Sequence, residues 1–164
     1  MDQRVKQGLK IGGGIIGGLL VIYIICIVIF IFGTKTQSDN SKAVASVALD
    51  KTPITKITKT YHLSRSVKSD SVVGVDKKGR KYYFIYLPHS KKSHLYSESS
   101  GISESKVKSI FNSKHPGHSD VQTELGWYKG RPVWEISYKK SNGNYGYALY
   151  NFKDGKEIYF IDNI

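Results

Sequence analysis

The side chains that could do chemistry in this chain are few, and their spacing argues against a catalytic centre. The single cysteine, Cys26, lies deep in an apolar run behind Tyr23-Ile24-Ile25. It reads as a small apolar filler, because a lipid-attachment signal would want a small residue just before it. No Gly-x-Ser-x-Gly elbow and no phosphate-cradling glycine loop occurs. The carboxylates are dispersed, so no pair stands out for general acid–base work. Of the five histidines, His115 and His118 are close enough to share a metal, but they straddle Pro116-Gly117 in a turn instead of lining a helix face. They read as exposed turn residues, as do His89 and His94 on either side of Lys91-Lys92. The expectation is a chain with no catalytic residue, no metal site and no cofactor, which binds and regulates.

Aromatic residues are the other notable class, with tyrosine at 12 the commonest of them. Many alternate along strand-like runs such as Lys81-Tyr82-Tyr83-Phe84-Ile85-Tyr86, which suits sheet packing. Successive strand residues face opposite sides, so some of these rings face outwards and could meet a protein partner. Trp127-Tyr128, just before Lys129-Gly130, is the candidate partner contact; the alternative is that the pair forms an edge of the core.

The formal net charge is +12. Such a surface favours an anionic neighbour. No aromatic–glycine signature of RNA binding is present, so nucleic acid is excluded as a partner. The lysines are scattered and concentrate at turns, as in Lys77-Lys78, Lys91-Lys92 and Lys139-Lys140. They serve either as solvated residues that keep strand edges unpaired or as a surface for a polyanion.

Ile11 to Phe32 is an unbroken uncharged apolar run. As a helix it would span roughly 33 Å, enough for a bilayer's hydrocarbon core. The expected organisation is a cytoplasmic tail over residues 1–10, a transmembrane helix over 11–33 and a linker over 34–40. Arg4, Lys6 and Lys10 before the run keep the N-terminus inside and place the remainder outside the cell. A cleavable signal peptide fits less well, because its apolar region would be shorter and a cleavage site would follow closely. Gly13 with Gly17, and Gly14 with Gly18, are small-xxx-small pairs that would let two membrane helices approach.

The rest of the chain repeats itself at one constant offset. Lys42 falls on Lys106, Gly79 on Gly143, Tyr83 on Tyr147, Tyr86 on Tyr150 and Tyr96 on Phe160. This gives two units, residues 41–97 and 101–164. In the second, Ser103 caps a helix with Val107, Ile110 and Phe111 on one face, and His115-Pro116-Gly117 ends it. Strands then run from Asp120 to Trp127, Arg131 to Tyr138, Tyr145 to Phe152 and Glu157 to Ile161, separated by Lys129-Gly130, Ser141-Asn142-Gly143-Asn144 and Asp154-Gly155. The first unit has a short Ala-rich helix from Ser41 to Asp50, then strands Ile57 to Ser66, Ser69 to Val75, Lys81 to Leu87 and Ser93 to Ser97. Each unit is one helix on an antiparallel four-stranded sheet, an α+β class. At about 60 residues each, the two gain by sharing a core.

The second unit, with Gly101-Ile102-Ser103-Glu104, Glu124-Leu125, Gly130, Trp134-Glu135-Ile136, Gly143 and Asp154-Gly155-Lys156-Glu157-Ile158, resembles a PepSY-type domain. The whole plan, an anchor, a degenerate first copy marked by Asp76-Lys77-Lys78-Gly79 and then this copy, resembles the YpmB-like family of cell wall elongation regulators of Gram-positive bacteria. That resemblance implies two tandem cystatin-like units on a single-pass cell-membrane anchor, outside the cell. It implies association with a penicillin-binding protein or another wall-synthesis membrane protein in peptidoglycan elongation, and no catalytic residue to carry over. The basic surface adds membrane lipid or an anionic wall polymer such as teichoic acid as possible partners. Inhibition of a surface peptidase is a further alternative, since other PepSY-type domains are proposed to do this.

Overall fold

The computed structural model describes residues 22–27 and 41–162. The chain divides into two compact units, Met1–Asn40 and Ser41–Ile164. In the first, residues 22–27 are helical. Most of the expected membrane span, with Gly13, Gly14, Gly17 and Gly18, lies outside the described residues. Among the described residues no helix is long and apolar enough to cross a membrane.

Ser41–Ile164 holds two copies of one α+β pattern. Helix α1 covers residues 41–51. It is followed by an antiparallel sheet in the order β1 (Lys56–Ser64), β2 (Lys68–Val75), β3 (Lys81–Leu87) and β4 (Lys92–Ser97). A 3-10 turn, Glu98–Ser100, leads to α2 (Glu104–Lys114). A second antiparallel sheet follows, ordered β5 (Ser119–Tyr128), β6 (Arg131–Lys139), β7 (Tyr145–Asn151) and β8 (Glu157–Ile161). The repeat seen in the sequence aligns these elements: β3 falls on β7 without a shift at either end. The expected α+β class with two four-stranded sheets is borne out.

Local chemistry accounts for the element ends. The Ser103 hydroxyl accepts from the Lys106 amide at 3.2 Å and caps α2, with Glu104 in the first turn and Lys114 in the last to suit the helix dipole. The β5–β6 turn needs positive φ at both central positions, and Lys129 (φ 45°) and Gly130 (φ 81°) supply it.

Alternation then assigns the faces. Val44 and Ala48 of α1 are one helical turn apart and pack on Val72 and Phe84 of the first sheet. That sheet's opposite face, with Tyr61, Val73, Tyr83, Ile85 and Leu87, joins the main core. The same core takes Val107 and Phe111 of α2 and Leu125, Trp134, Ile136, Tyr138 and Tyr150 of the second sheet. So α2 and the first sheet share one face of the second sheet, and the two copies close a single core. Each large side chain buried there contributes about 1.5–3 kcal/mol against exposure.

The tip of the β1–β2 hairpin goes further and crosses the β5 edge. Leu63 packs on Val133 and Leu149, which face away from α2. Gly126 permits the crossing, because a Cβ there would sit 2.6 Å from the Ser69 Oγ and inside the Leu63 side chain. As an edge strand β5 carries amides without a ladder partner. The Trp127 amide donates to the Ser69 hydroxyl at 3.0 Å and the Lys129 amide to the Ser66 hydroxyl at 3.3 Å.

Candidate interaction surface

Trp127, near the end of β5, faces the same side of its sheet as Leu125 and pairs across the strands with Pro132 of β6. Its indole stacks on the His94 imidazole of β4, with ring centres 4.1 Å apart and planes 14° from parallel. His94 stacks in turn over Tyr96 at 6.4 Å, and Tyr96 meets Phe152 at 5.5 Å. A row of rings therefore runs from the second sheet across the first sheet's edge and back. Burial against these rings, with Lys92 adding to it, lowers the His94 pKa and keeps the imidazole neutral. His94 is thus a half-buried stacking partner and not the exposed turn histidine expected from sequence.

Beside this row lies an open groove of about 500 Å³ lined by Tyr96, Ser100, Arg131, Pro132, Asn151, Phe152 and Lys153. Its floor is fixed. Phe152 is buried, its carbonyl accepts from the Ile102 amide at 2.8 Å, and its amide donates to the Pro132 carbonyl at 3.2 Å. Its rim is cationic and exposed: neither Arg131 nor Lys153 has a carboxylate ion-pair partner among the described residues. Tyr128 points to the opposite sheet face, where it packs against the Leu63 cluster with Lys129 over its ring at 5.3 Å. The structure thus separates the two members of the Trp127-Tyr128 pair.

A second cleft, of about 370 Å³, opens at the start of α2 between Lys59, Tyr61, Lys81, Tyr83, Glu104 and Trp134. Its charges are already matched. Glu104 accepts from Lys59 at 2.8 and 2.7 Å and from the Tyr61 hydroxyl at 2.9 Å, and pairs with Lys108 at 2.8 Å. Burial alone would raise its pKa; Lys108, Lys59 and Tyr61 overcome that and hold it at about 2. Lys81 is bonded to Glu98 at 2.7 Å. This cleft is a clasp between the two copies, since Lys59 and Tyr61 belong to the first and Glu104 to the second.

On the far face of the second sheet, two carboxylates that seemed dispersed in sequence stand directly opposite each other. Glu124 of β5 pairs with Glu135 of β6. Arg65 neutralises Glu135 through Nε at 2.5 Å and Nη2 at 2.9 Å, while its guanidinium lies 3.6 Å from the Tyr147 ring centre. Glu124 accepts the His62 amide at 2.9 Å. Burial raises its pKa, against the lowering effect of that bond. The sequence did hold a signal for this pair, because Glu124 and Glu135 are equidistant from the Lys129-Gly130 turn and so share a register position. With each carboxylate engaged by the first copy's hairpin, the pair works as a fastening for that hairpin.

His115 and His118 also depart from expectation, whereas His89 is exposed in the β3–β4 turn as expected. His115 Nε2 is 2.8 Å from Glu157 Oε2, and its ring lies on Phe160 at 4.0 Å. His118 Nδ1 is 2.8 Å from the His115 carbonyl, and the ring meets Tyr138 edge-on at 4.3 Å. They seal the C-terminal end of α2 against β8. Among the described residues no cluster of three or more potential metal ligands forms.

No family model matches the chain. It is 25% identical over 139 residues to the Bacillus subtilis (strain 168) protein described as "Probable cell wall elongation regulator TseB", covering 84% of this chain and 86% of that protein. Its fold matches the solved structure of the YpmB protein from Bacillus subtilis with a TM-score of 0.62 at 26% identity, over 73% of this chain and 94% of that one. The chain resembles YpmB. The similarity covers most of this chain and most of each of the two proteins. In this unit the Glu104 clasp and the Arg65–Glu135 fastening join the copies, and the groove beside Trp127 is an open feature whose cations have no carboxylate ion-pair partner among the described residues.

Proposed function

We propose that this chain is a membrane-anchored regulator of cell wall elongation. Its folded part stands outside the cell as two cystatin-like, PepSY-type units and binds a wall-synthesis membrane protein such as a penicillin-binding protein. The observation that carries the reading is the similarity to the protein described as a probable cell wall elongation regulator, which spans most of both chains. The fastened core supports a binding role, since a rigid unit presents a preorganised surface. Anchoring by the Ile11–Phe32 run would raise the unit's effective concentration towards other anchored proteins without any new contact.

A photo-cross-linking amino acid placed at position 131 or 153 in living cells tests this. The expected adduct contains a penicillin-binding protein or another wall-synthesis enzyme; adducts that never contain one would overturn the reading. Protease added to intact cells is expected to digest the folded unit, and protection there would reverse the topology.

The exposed Lys129, Arg131 and Lys153 favour a second reading, in which an anionic wall polymer or lipid is bound. Steep loss of polymer binding with added salt is its signature.

A further inference from the structure

Resting on the reading that this unit binds a protein, we propose that the groove between Tyr96, Pro132 and Phe152 takes an acidic polypeptide segment. One apolar side chain of that segment would sit on the rings, and its flanking carboxylates would meet Arg131 and Lys153.

Charge complementarity carries the sign of the ligand. In the cleft at the start of α2 the lysines are spent on Glu104 and Glu98. Arg131 and Lys153 are exposed and without such partners. Of the nearby carboxylates, Glu98 is bonded to Lys81 at 2.7 Å and Asp154 accepts the Lys156 amide at 3.0 Å, so neither closes the rim. Arg131 can grip a carboxylate through two parallel hydrogen bonds.

The floor carries the choice of polymer. A polyol phosphate would engage the cations and gain nothing from the rings. The exposed part of the floor is Tyr96 and Pro132 over buried Phe152. An apolar side chain removes that surface from water, and the walls need not reorganise, because Phe152 is locked against Tyr83 at 5.1 Å and Trp134 at 6.4 Å.

The test uses the full-length chain and a fluorescein-labelled peptide of one leucine between two runs of three glutamates, followed by anisotropy. Binding is expected to weaken at least about tenfold in the Arg131→Glu/Lys153→Glu double variant, and about tenfold when serine replaces the leucine. Tyr96→Ser should weaken the leucine peptide and leave the serine peptide unchanged. Equal binding of both peptides, indifference to the charge reversal, or displacement of the peptide by a glycerol phosphate oligomer at matched charge would each overturn the proposal. Cross-linking to a wall-synthesis protein is scored separately. If it persists while peptide binding fails, the groove assignment falls and the regulator reading stands; if it fails while peptide binding persists, the reverse holds.

Discussion

Arg65 of the first copy forms a two-point ion pair with Glu135 of the second, Nε to Oε2 at 2.5 Å and Nη2 to Oε1 at 2.9 Å. The carboxylate is 9% exposed at its side chain, so removing this partner would leave a nearly buried acidic group without its ion pair. Arg65→Ala should therefore cost about 2–4 kcal/mol, less than a fully buried pair because the guanidinium is partly solvated. Arg65→Ala combined with Glu135→Leu should recover most of that loss, since the stranded charge goes with its partner. Urea unfolding of the two variants measures both; equal destabilisation would show that the charge is not the cause.

Gly126→Ala should destabilise by about 1–3 kcal/mol or more. The added methyl group meets Leu63 and the Ser69 hydroxyl, and the hairpin tip must lift off β5. Lifting it frees the Trp127 and Lys129 amides. Hydrogen exchange at those two amides should accelerate in the variant, while the amides of β7 change little. Unchanged exchange at Trp127 would mean that the crossing does not depend on the glycine.

Glu104 makes stability depend on acid. Its folded pKa of about 2 lies below the ordinary 4.5, so the native state binds fewer protons than the unfolded chain. Its contribution is complete above pH 4.5 and is lost as pH falls through about 2. Glu157 is shifted the same way: burial opposes the shift, and Lys114, His115 and Tyr150 drive it. Glu104→Gln should be less stable than the parent at neutral pH, with the gap shrinking between pH 4.5 and 2. Denaturant midpoints across that window check it; a constant gap would rule out the ionised carboxylate as the source.

A fourth expectation concerns the two tryptophans. Trp134 is fully buried and its indole donates to the Ile102 carbonyl at 2.9 Å, whereas Trp127 is partly exposed on His94. Emission from Trp127→Phe, which leaves Trp134, should be blue-shifted and resist acrylamide. Trp134→Phe should leave a quenchable emitter and lose about 1–3 kcal/mol with its hydrogen bond. Quenching that is the same in both variants would place Trp127 inside the core.

Within Ser41–Ile164, the sequence by itself determined what is local. Alternating apolar residues and positive-φ turn residues set the strands, so that Lys81–Leu87 and Glu157–Ile161 were readable to the residue. Ser103 set the start of α2, and the repeat set two units of like order. The resemblance to YpmB was legible for the same reason, because it is written in turn residues and strand-edge motifs. What only the tertiary structure decided is how one copy meets the other. Nothing in the periodicity of Lys56–Ser64 says that its hairpin passes over a strand edge, that Arg65 reaches Glu135, or that His94 and His115 stack instead of facing water. Those contacts join residues far apart along the chain, and a local pattern records only which side of its own strand a residue faces. The partner of that side is selected by the shape of the whole core, so the groove of Tyr96, Pro132 and Phe152, drawn from three separate stretches, exists only once the chain has closed on itself.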